Sequence, residues 1–528
     1  MTKTSRWRQI GEATSRAGQQ APVPLVRHQS KPALKRPVGA TQRKVAGHFP
    51  VRGAAAAALS LALGLTIAST ACTVGPNYRR PVVSAPGSYR GAVTAPPAPA
   101  TTTGASAATA PAPAFGDESW ATVFQDPELQ GLIRTALRQN FDVRIAAARV
   151  AEAQAQLGVT RGDQFPSAGV DASGAASRNA RSKFNTAYTT SNVELGVGFQ
   201  WNLDFWGKYR RATEAARDQL LATDWAQRAV ASSLVANLAA AYYGLRAQDL
   251  ELAIAQRTLA ADLDSLKLTQ LLADNGATSL LDVRQAQELV AAAGAAIPLA
   301  EKQIAQQENL ISILLGENPG AVGRGLGLDQ QPHPPQVPAG LPSALLERRP
   351  DIREAEAQLM AVNARIGVAK AAYFPAIALT GSAGTQSLAL GQLFGGPTGA
   401  WSFAGQLLQP LFAAGSLKNG VRLAQAQRQE AVLDYQQTVQ QAFREVSDAL
   451  VSYTQDQAFR QQQQALDDAA QDAAHLSTLR YQGGAASYLE VLDSNTRAYA
   501  AQVTLAQATL NELLDYVSLY RALGGGWQ

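Results

Sequence analysis

The chain has 528 residues, enough for several hydrophobic cores, and its content of 46% hydrophobic and 16% charged residues is that of a folded protein. The formal net charge of +5 comes from residues 1–52, which contain eleven Lys or Arg and one Glu, so the rest of the chain carries 35 basic and 40 acidic side chains. That balance argues against a nucleic-acid-binding protein, and the lack of an apolar run of about twenty residues in the body argues against transmembrane helices there.

Residues 1–71 have the features of a secretory signal region. A basic leader runs into the apolar stretch VRGAAAAALSLALGLTIASTAC, and small residues precede Cys72, the only cysteine of the chain. A cysteine at the end of such a signal is typical of a lipoprotein, so we predict that Cys72 carries a lipid anchor such as palmitate. Ser69 stands where lipoprotein signals usually carry Leu, which leaves a free thiol as the alternative. The leader is long for a signal, and we expect translation to begin near Val51, with residues 1–50 untranslated.

The folded body follows a segment rich in Pro, Ala and Thr, residues 72–114, which is predicted to be an extended tether. Two pairs of segments within the body are similar to one another. The first pair is NFDVRIAAARVAEAQAQLGVTRGDQFP (140–166) and RPDIREAEAQLMAVNARIGVAKAAYFP (349–375), and the second is NGATSLLDV (275–283) and GGAASYLEV (483–491). Their nearly equal offsets, 209 and 208 residues, indicate an internal duplication.

The two repeats have the same order of predicted elements. Repeat 1 covers residues 115–320, a Pro- and Gly-rich linker covers 321–342, and repeat 2 covers 343–528. In each repeat, a helix that ends at a Phe-Pro pair is followed by a β-hairpin, a very long helix, a turn and a returning helix. The hairpins are predicted at 167–205 and 376–409, and the long helices at 208–274 and 416–482.

The long helices contain no Pro and one Gly each, and 67 residues at about 1.5 Å per residue span roughly 100 Å. Their Ala, Gln, Leu and Glu content, with apolar residues three and four positions apart, predicts helices packed side by side. Pro298 is expected to kink the first returning helix. A soluble helical bundle would explain the helices equally well, but it would not explain the strands.

The stretch VELGVGFQWNLDF, residues 193–205, alternates apolar and polar residues over thirteen positions. This is the period of a strand, and the length suits a tilted membrane strand better than a soluble one. Four strands per chain cannot close a barrel, and an open sheet in lipid leaves backbone groups unpaired, so closure requires other chains. Two, three or four copies would give eight, twelve or sixteen strands. Trp201, Trp206 and Trp401 are predicted membrane-interface aromatics. The alternative to membrane strands is that each hairpin is amphipathic and soluble.

Several motifs occur in an order that matches one known family. The chain contains TVGPNYRRP after Cys72, then SWATVFQDPELQGLI, the two turn sequences above and a terminal LYRALGGGW. These motifs resemble those of the outer-membrane factors of tripartite efflux systems. The resemblance is greatest to the NodT/OprM-type lipoproteins that partner RND pumps, with TolC more distant, and it covers residues 72–528.

The resemblance implies a mainly α fold with a transmembrane β-barrel portion, in which three chains form a TolC-like α/β barrel. Twelve strands would cross the outer membrane, and the helices would form a periplasmic tunnel about 100 Å long. The implied partners are two further copies of the chain (a homotrimer), a periplasmic adaptor of the membrane fusion protein type, an inner-membrane RND pump and outer-membrane lipid. The implied function is passive conduction of small molecules, such as drugs and toxic compounds, from the periplasm to the exterior.

The turns at the far ends of the long helices contain candidate gate residues. These are Gly276, Ser279 and Asp282 in the first turn, and Gly484, Ser487 and Glu490 in the second. In each turn the Ser and the acidic residue are three positions apart, which is the spacing of a helix N-terminal capping box. Each carboxylate is therefore explained by a helix start as well as by a gate.

Asp493 lies beyond the first turn of its helix, on the same face as Glu490. The resemblance to TolC implies that Asp493 points into the closed end of the tunnel, where three copies would form a carboxylate ring that favours cations. It also implies that Tyr481 helps to hold the tip closed.

Two basic residues near the turns, Arg284 and Arg480, are candidate ion-pair partners of Asp282 or Asp493. One contact of the TolC latch is missing, because Ala486 stands where TolC has an Arg. The expected gate therefore shares the position of the TolC gate but not every contact.

Enzymatic functions lack the residues that they need. After the signal region the chain has only His333 and His475 and no second cysteine, so no zinc ligand set is present, and no phosphate-binding loop or nucleophile motif occurs. We predict no catalysis, no cofactor and no metal site. Two other functions stay open: a type I-secretion-style export duct, and a periplasmic helical adaptor or scaffold, which would be soluble and would conduct no ions.

Overall fold

The computed structural model describes residues 73–91, 115–181, 183, 186–332, 340 and 342–527. All of them belong to one compact unit, Thr66–Gln528. The predicted signal region and Cys72 lie outside the described residues, as do residues 92–114 of the predicted tether and residues 333–339 of the predicted linker, which include His333.

Helices make up most of the described chain. In chain order the α-helices and strands are α1 (Trp120–Val123), α2 (Pro127–Gln139), α3 (Phe141–Gly162), β1 (Ser167–Asn179), β2 (Tyr188–Leu203), α4 (Lys208–Asp274), α5 (Leu280–Leu315), α6 (Pro342–Arg348), α7 (Pro350–Ala371), β3 (Ala376–Ser387), β4 (Gly399–Leu408), α8 (Ser416–Gln482) and α9 (Tyr488–Ala522). Within the part of the chain that the structure describes, no helix combines the length and the apolar character needed to cross a membrane.

The two long helices, α4 and α8, have 67 residues each, which corresponds to roughly 100 Å. Each begins directly after a glycine in the left-handed conformation, Gly207 (φ 78°) or Gly415 (φ 83°), which lies at the junction between strand and helix. α4 packs against α5 and α8 packs against α9, while α4 also contacts α9, so the two helical pairs lie side by side. α5 continues through Pro298, and the kink expected there stays a prediction.

Asp126 organises the centre of the main hydrophobic core. It is fully buried, and its carboxylate accepts hydrogen bonds from the Tyr242 hydroxyl (2.9 Å), the Leu326 N–H (2.9 Å), the Gln331 amide (3.0 Å) and the Glu128 N–H (2.9 Å). Burial alone would raise the pKa of Asp126, but the hydrogen bonds from Gln331 and Tyr242 bring it below its ordinary value. A single carboxylate at the start of α2 thus connects three parts of the core: α2 itself, the segment that follows α5, and α4.

The four strands form one antiparallel sheet in the order β1-β2-β3-β4. Each hairpin pairs its own two strands, and β2 pairs with β3 from Val193 opposite Ser387 to Leu203 opposite Ile377. The pairing of β2 with β3 joins the hairpin of one repeat to that of the other. Each repeat therefore contributes one hairpin to a single continuous sheet.

One face of this sheet carries an exposed aromatic band. The Phe199 ring lies over Gly381 of β3, where any side chain would overlap it, and reaches Phe403 of β4 at a centroid distance of 6.4 Å. Phe199 and Phe403 are 41% and 63% exposed. The alternation seen in the sequence thus places large apolar rings together on the outside of the sheet.

Residues 73–91, here called the N-terminal strap, run from the sheet end of the helices to the main core. The Val74 N–H donates to the Trp206 carbonyl (3.1 Å), and the Arg80 guanidinium donates to Glu356 (2.6 Å). Tyr89 is buried in the main core. The strap therefore fixes the chain just after Cys72 to the junction between β2 and α4.

Candidate functional site

The two turns of the candidate site lie at the end of the helical pairs that is farthest from the sheet. Each turn has a glycine in the left-handed conformation, Gly276 (φ 68°) or Gly484 (φ 69°), so both glycines are required by the backbone. Among the described residues, no group of three or more His, Cys, Asp or Glu is arranged to hold a metal ion.

The first turn contains a helix cap. The Ser279 side chain accepts a hydrogen bond from the Asp282 N–H (3.4 Å), and the Thr278 hydroxyl donates to the Asp282 carboxylate. Arg284 donates to Gln287 (2.8 Å) and is not paired with Asp282. The contacts of Asp282 are thus those of a residue at a helix start.

The second turn differs from the predicted capping box. Ser487 occupies the N-cap position of α9, but its side chain accepts no cap hydrogen bond. The Glu490 carboxylate instead forms an ion pair with Arg480 across the turn (3.3 Å). The expected reciprocal cap at Ser487 and Glu490 is therefore wrong, since the Ser487 side chain accepts no cap hydrogen bond and the Glu490 carboxylate pairs with Arg480.

Asp493 lies one helical turn further along α9 and is exposed. Its carboxylate pairs with Arg497 on the same helix (3.0 Å), and the two side chains are 56% and 75% exposed. Neither Arg480 nor Arg284 pairs with it, so the partners suggested from the sequence for Asp493 are corrected. An exposed pair of this kind contributes less than about 1 kcal/mol to stability, which leaves Asp493 available for another role.

A small buried cluster joins the second turn to α4. Tyr481 and Tyr488 meet edge to face, with ring centroids 5.2 Å apart, and Tyr488 exchanges a hydrogen bond with the Ser265 hydroxyl of α4 (3.2 Å). Ala286 of α5 and Val491 complete the cluster. Burial raises the pKa of Tyr488, so its hydroxyl stays protonated. The cluster therefore forms a buried contact between the tips of the two helical pairs.

Tyr488 was not predicted as a site residue. The available signal was a difference between the repeats, since the first turn has Leu280 where the second has Tyr488. A tyrosine at a helix start beside Tyr481 can pack and form a hydrogen bond at once. A comparison of the two turns, position by position, would have found it.

The predicted interface tryptophans lie at the sheet. Trp201 donates its indole N–H to a backbone carbonyl of the α3–β1 connection (3.0 Å), and Trp401 is 81% exposed. Trp206 donates to the Pro375 carbonyl (2.9 Å) and stacks on Phe374 at 4.8 Å. Trp206 thus joins repeat 1 to the Phe-Pro pair of repeat 2, in addition to the interface role expected of it.

Paired helices of about 100 Å that end on a four-stranded sheet, with tip turns at the opposite end, are the architecture of TolC-like outer-membrane channels. The structure is similar to the open state of the MtrE outer membrane channel of Neisseria gonorrhoeae, with a TM-score of 0.76 and 31% sequence identity, covering 87% of this chain and 99% of that one.

The sequence is 34% identical to the cation efflux system protein CusC of Escherichia coli O6:H1 over 469 residues, which cover 88% of this chain and 98% of CusC. It is 37% identical to the toluene efflux pump outer membrane protein TtgC of Pseudomonas putida over 418 residues, 78% of this chain and 86% of TtgC. The outer membrane efflux protein family matches residues 132–317 and 341–525. The chain belongs to this family, and the predicted fold class, efflux function and outer-membrane location are confirmed.

Proposed function

We propose that three copies of this chain form the exit duct of a tripartite efflux pump, with twelve strands in the outer membrane and a helical tunnel in the periplasm. The observation that carries this proposal is the pairing of the sheet. Within the described chain, β1 and β4 each pair with one neighbour only, so one chain leaves two strand edges open. Lipid cannot satisfy open edges, and a ring of identical chains that pairs β4 of one copy with β1 of the next leaves none.

The proposed partners are a periplasmic adaptor and an inner-membrane RND pump, which supplies the energy. The duct itself carries out no chemistry and conducts small molecules, such as drugs and toxic compounds, passively. Relatives of similar identity are named for cations in one case and for toluene in the other. Such different cargoes within one fold support a wide duct whose pump selects the substrate.

The proposed lipid anchor is Cys72. The strap supports it, because the Val74 N–H is held at the Trp206 carbonyl, where the sheet meets the helices. A lipid attached two residues earlier would then lie close to the membrane surface. Growth with labelled palmitate tests this directly: we expect label in the wild type and none in Cys72→Ser.

The proposed gate is at the tips and consists of Asp493 with Glu490, Tyr481 and Asp282. The support is that Asp493 is exposed near the end of the helical pairs while Tyr481 lies in the cluster that joins them. Separation of the two pairs at this cluster would widen the tunnel end. The ring of three Asp493 side chains would attract cations as it opens.

The function is tested by crosslinking in intact cells followed by purification from the outer membrane. We expect a trimer, ion conductance in planar bilayers and a copurified adaptor with an RND pump. Copurification with an ATP-driven exporter would instead assign the chain to type I secretion. A monomer that does not conduct would overturn the proposal and favour a periplasmic scaffold.

A further inference from the structure

Asp262, in the tip-side part of α4, is a buried carboxylate without a partner. It is 3% exposed, and with the residues that the structure describes it forms neither a hydrogen bond nor an ion pair. Another buried carboxylate of the helices, Glu512, is neutralised by an ion pair with Arg460. An unpaired buried charge is costly, so Asp262 requires an explanation.

A cavity of about 320 Å³ opens beside Asp262 between α4, α5 and α9. α5 contributes six Leu and Ala side chains to it, including Leu289 and Ala296, and α9 contributes Asn495 and Tyr499. Its volume lies at the small end of the range of ligand pockets, which is about 300–1,000 Å³. The cavity thus combines an apolar wall with a single buried carboxylate.

The surroundings of Asp262 do not neutralise it. A second cavity of about 280 Å³, which shares Asp262 and Tyr499 with the first, is also lined by Arg257 of α4 and Gln471 of α8. The titratable side chains of α9 nearby are Tyr488 and Tyr499, and the cavity-lining residues of α5 include none. Burial raises the pKa of Asp262 to about 6, and no cation offsets that effect.

We propose that the cavity between α4, α5 and α9 binds an amphiphilic primary amine. The ammonium group pairs with the Asp262 carboxylate, and the hydrocarbon body packs against the Leu and Ala side chains of α5. A charge-assisted hydrogen bond to a carboxylate that is 3% exposed would be strong. The site goes beyond the proposed duct, because it lies between helices of one chain, and a bound amine that touches both α4 and α9 would hold the two helical pairs together.

The test is calorimetric titration of the full-length protein in detergent with 1-adamantylamine and with its neutral counterpart 1-adamantanol. We expect the amine to bind at least tenfold more tightly than the alcohol. Asp262→Asn should weaken amine binding about tenfold or more, as for the loss of a hydrogen bond to a charged group, and leave the alcohol unchanged. Lowering the pH from 7.5 to 5 should weaken amine binding to the wild type, because Asp262 becomes protonated.

Asp264→Asn is the matched control, because Asp264 is two positions away on the other side of α4, is 77% exposed and pairs with Lys267. It should bind the amine like the wild type. Ala296→Leu keeps the carboxylate but fills the cavity, so it should weaken the binding of both ligands. This variant still tests the location of the binding site if Asp262→Asn does not fold. Equal affinity for amine and alcohol, or equal losses in Asp262→Asn and Asp264→Asn, would overturn the proposal.

Discussion

Leu280 and Tyr488 occupy equivalent positions in the two tip turns, yet Leu280 is 64% exposed and Tyr488 is 1% exposed. The Tyr488 ring packs against Tyr481, and its hydroxyl meets Ser265 of α4. Tyr488 of the second turn therefore packs against the other helical pair, whereas Leu280 of the first turn does not. Any separation of the two helical pairs at the tips must break the hydrogen bond between Tyr488 and Ser265.

Replacing Tyr488 by Ala should loosen the tips. Removal of a fully buried aromatic ring costs about 3–5 kcal/mol, here within the tip cluster. Hydrogen exchange should rise in residues 481–491 and in the facing part of α4, and the resting conductance in planar bilayers should increase. Leu280→Ala is the control at the equivalent exposed position and should change neither quantity. Equal effects of the two variants would mean that the Tyr488 contacts do not hold the tips.

Asp493→Ala should raise the resting conductance and reduce the preference for cations without lowering thermal stability. The stability expectation follows from exposure, since the pair of Asp493 with Arg497 is worth less than about 1 kcal/mol. Single-channel recording and thermal unfolding of the same preparation separate the two effects. Arg497→Ala removes the same ion pair but keeps the carboxylate, so it should leave cation preference intact. Unchanged conductance in Asp493→Ala would count against a gate at this position.

Tyr481→Phe should have little effect, alone or added to Asp493→Ala. The Tyr481 hydroxyl is buried and has no hydrogen-bond partner among the described residues, so its removal breaks no polar contact. The ring, which packs on Tyr488, is kept. If the double variant conducts more than Asp493→Ala, the hydroxyl must have a partner in the assembled duct, for example in a neighbouring copy.

The strands and the long helices could be predicted because each depends on local sequence. Alternation over VELGVGFQWNLDF indicates a strand wherever it occurs, and a long segment without Pro favours a continuous helix. The partners at the tip could not be predicted in the same way. The turn brings Arg480 to Glu490 and not to Asp493. Leu280 and Tyr488 differ because Tyr488 packs against the other helical pair, whereas Leu280 is exposed.

Asp126→Asn should destabilise the main core by roughly 1–3 kcal/mol, because buried donors on Tyr242 and Gln331 lose a charged acceptor. The pKa of Asp126 is lowered in the folded state, so its stabilising effect is complete above the unfolded value, about 3.9, and is lost as the pH falls below it.

Thermal unfolding at several pH values checks this. Between pH 7 and pH 3 the unfolding temperature should fall further in the wild type than in Asp126→Asn. Asp224→Asn removes an exposed carboxylate, 37% exposed and paired with Arg228 on the same helix, and should keep the wild-type pH dependence. An equal fall in wild type and Asp126→Asn would show that Asp126 does not contribute to it.

Alanine at Gly158 and at Gly367 should have opposite effects, although the two glycines are equivalent in the repeats. A Cβ at Gly158 in α3 would meet no atom within 4 Å, so Gly158→Ala should stabilise the helix by roughly 0.5–1 kcal/mol. A Cβ at Gly367 in α7 would lie 2.7 Å from the Val74 carbonyl oxygen and 2.8 Å from the Arg211 side chain. Gly367→Ala should therefore lower the unfolding temperature and expose the strap to trypsin at Arg80. If both variants raise stability, the strap does not press on α7 as closely as this contact requires.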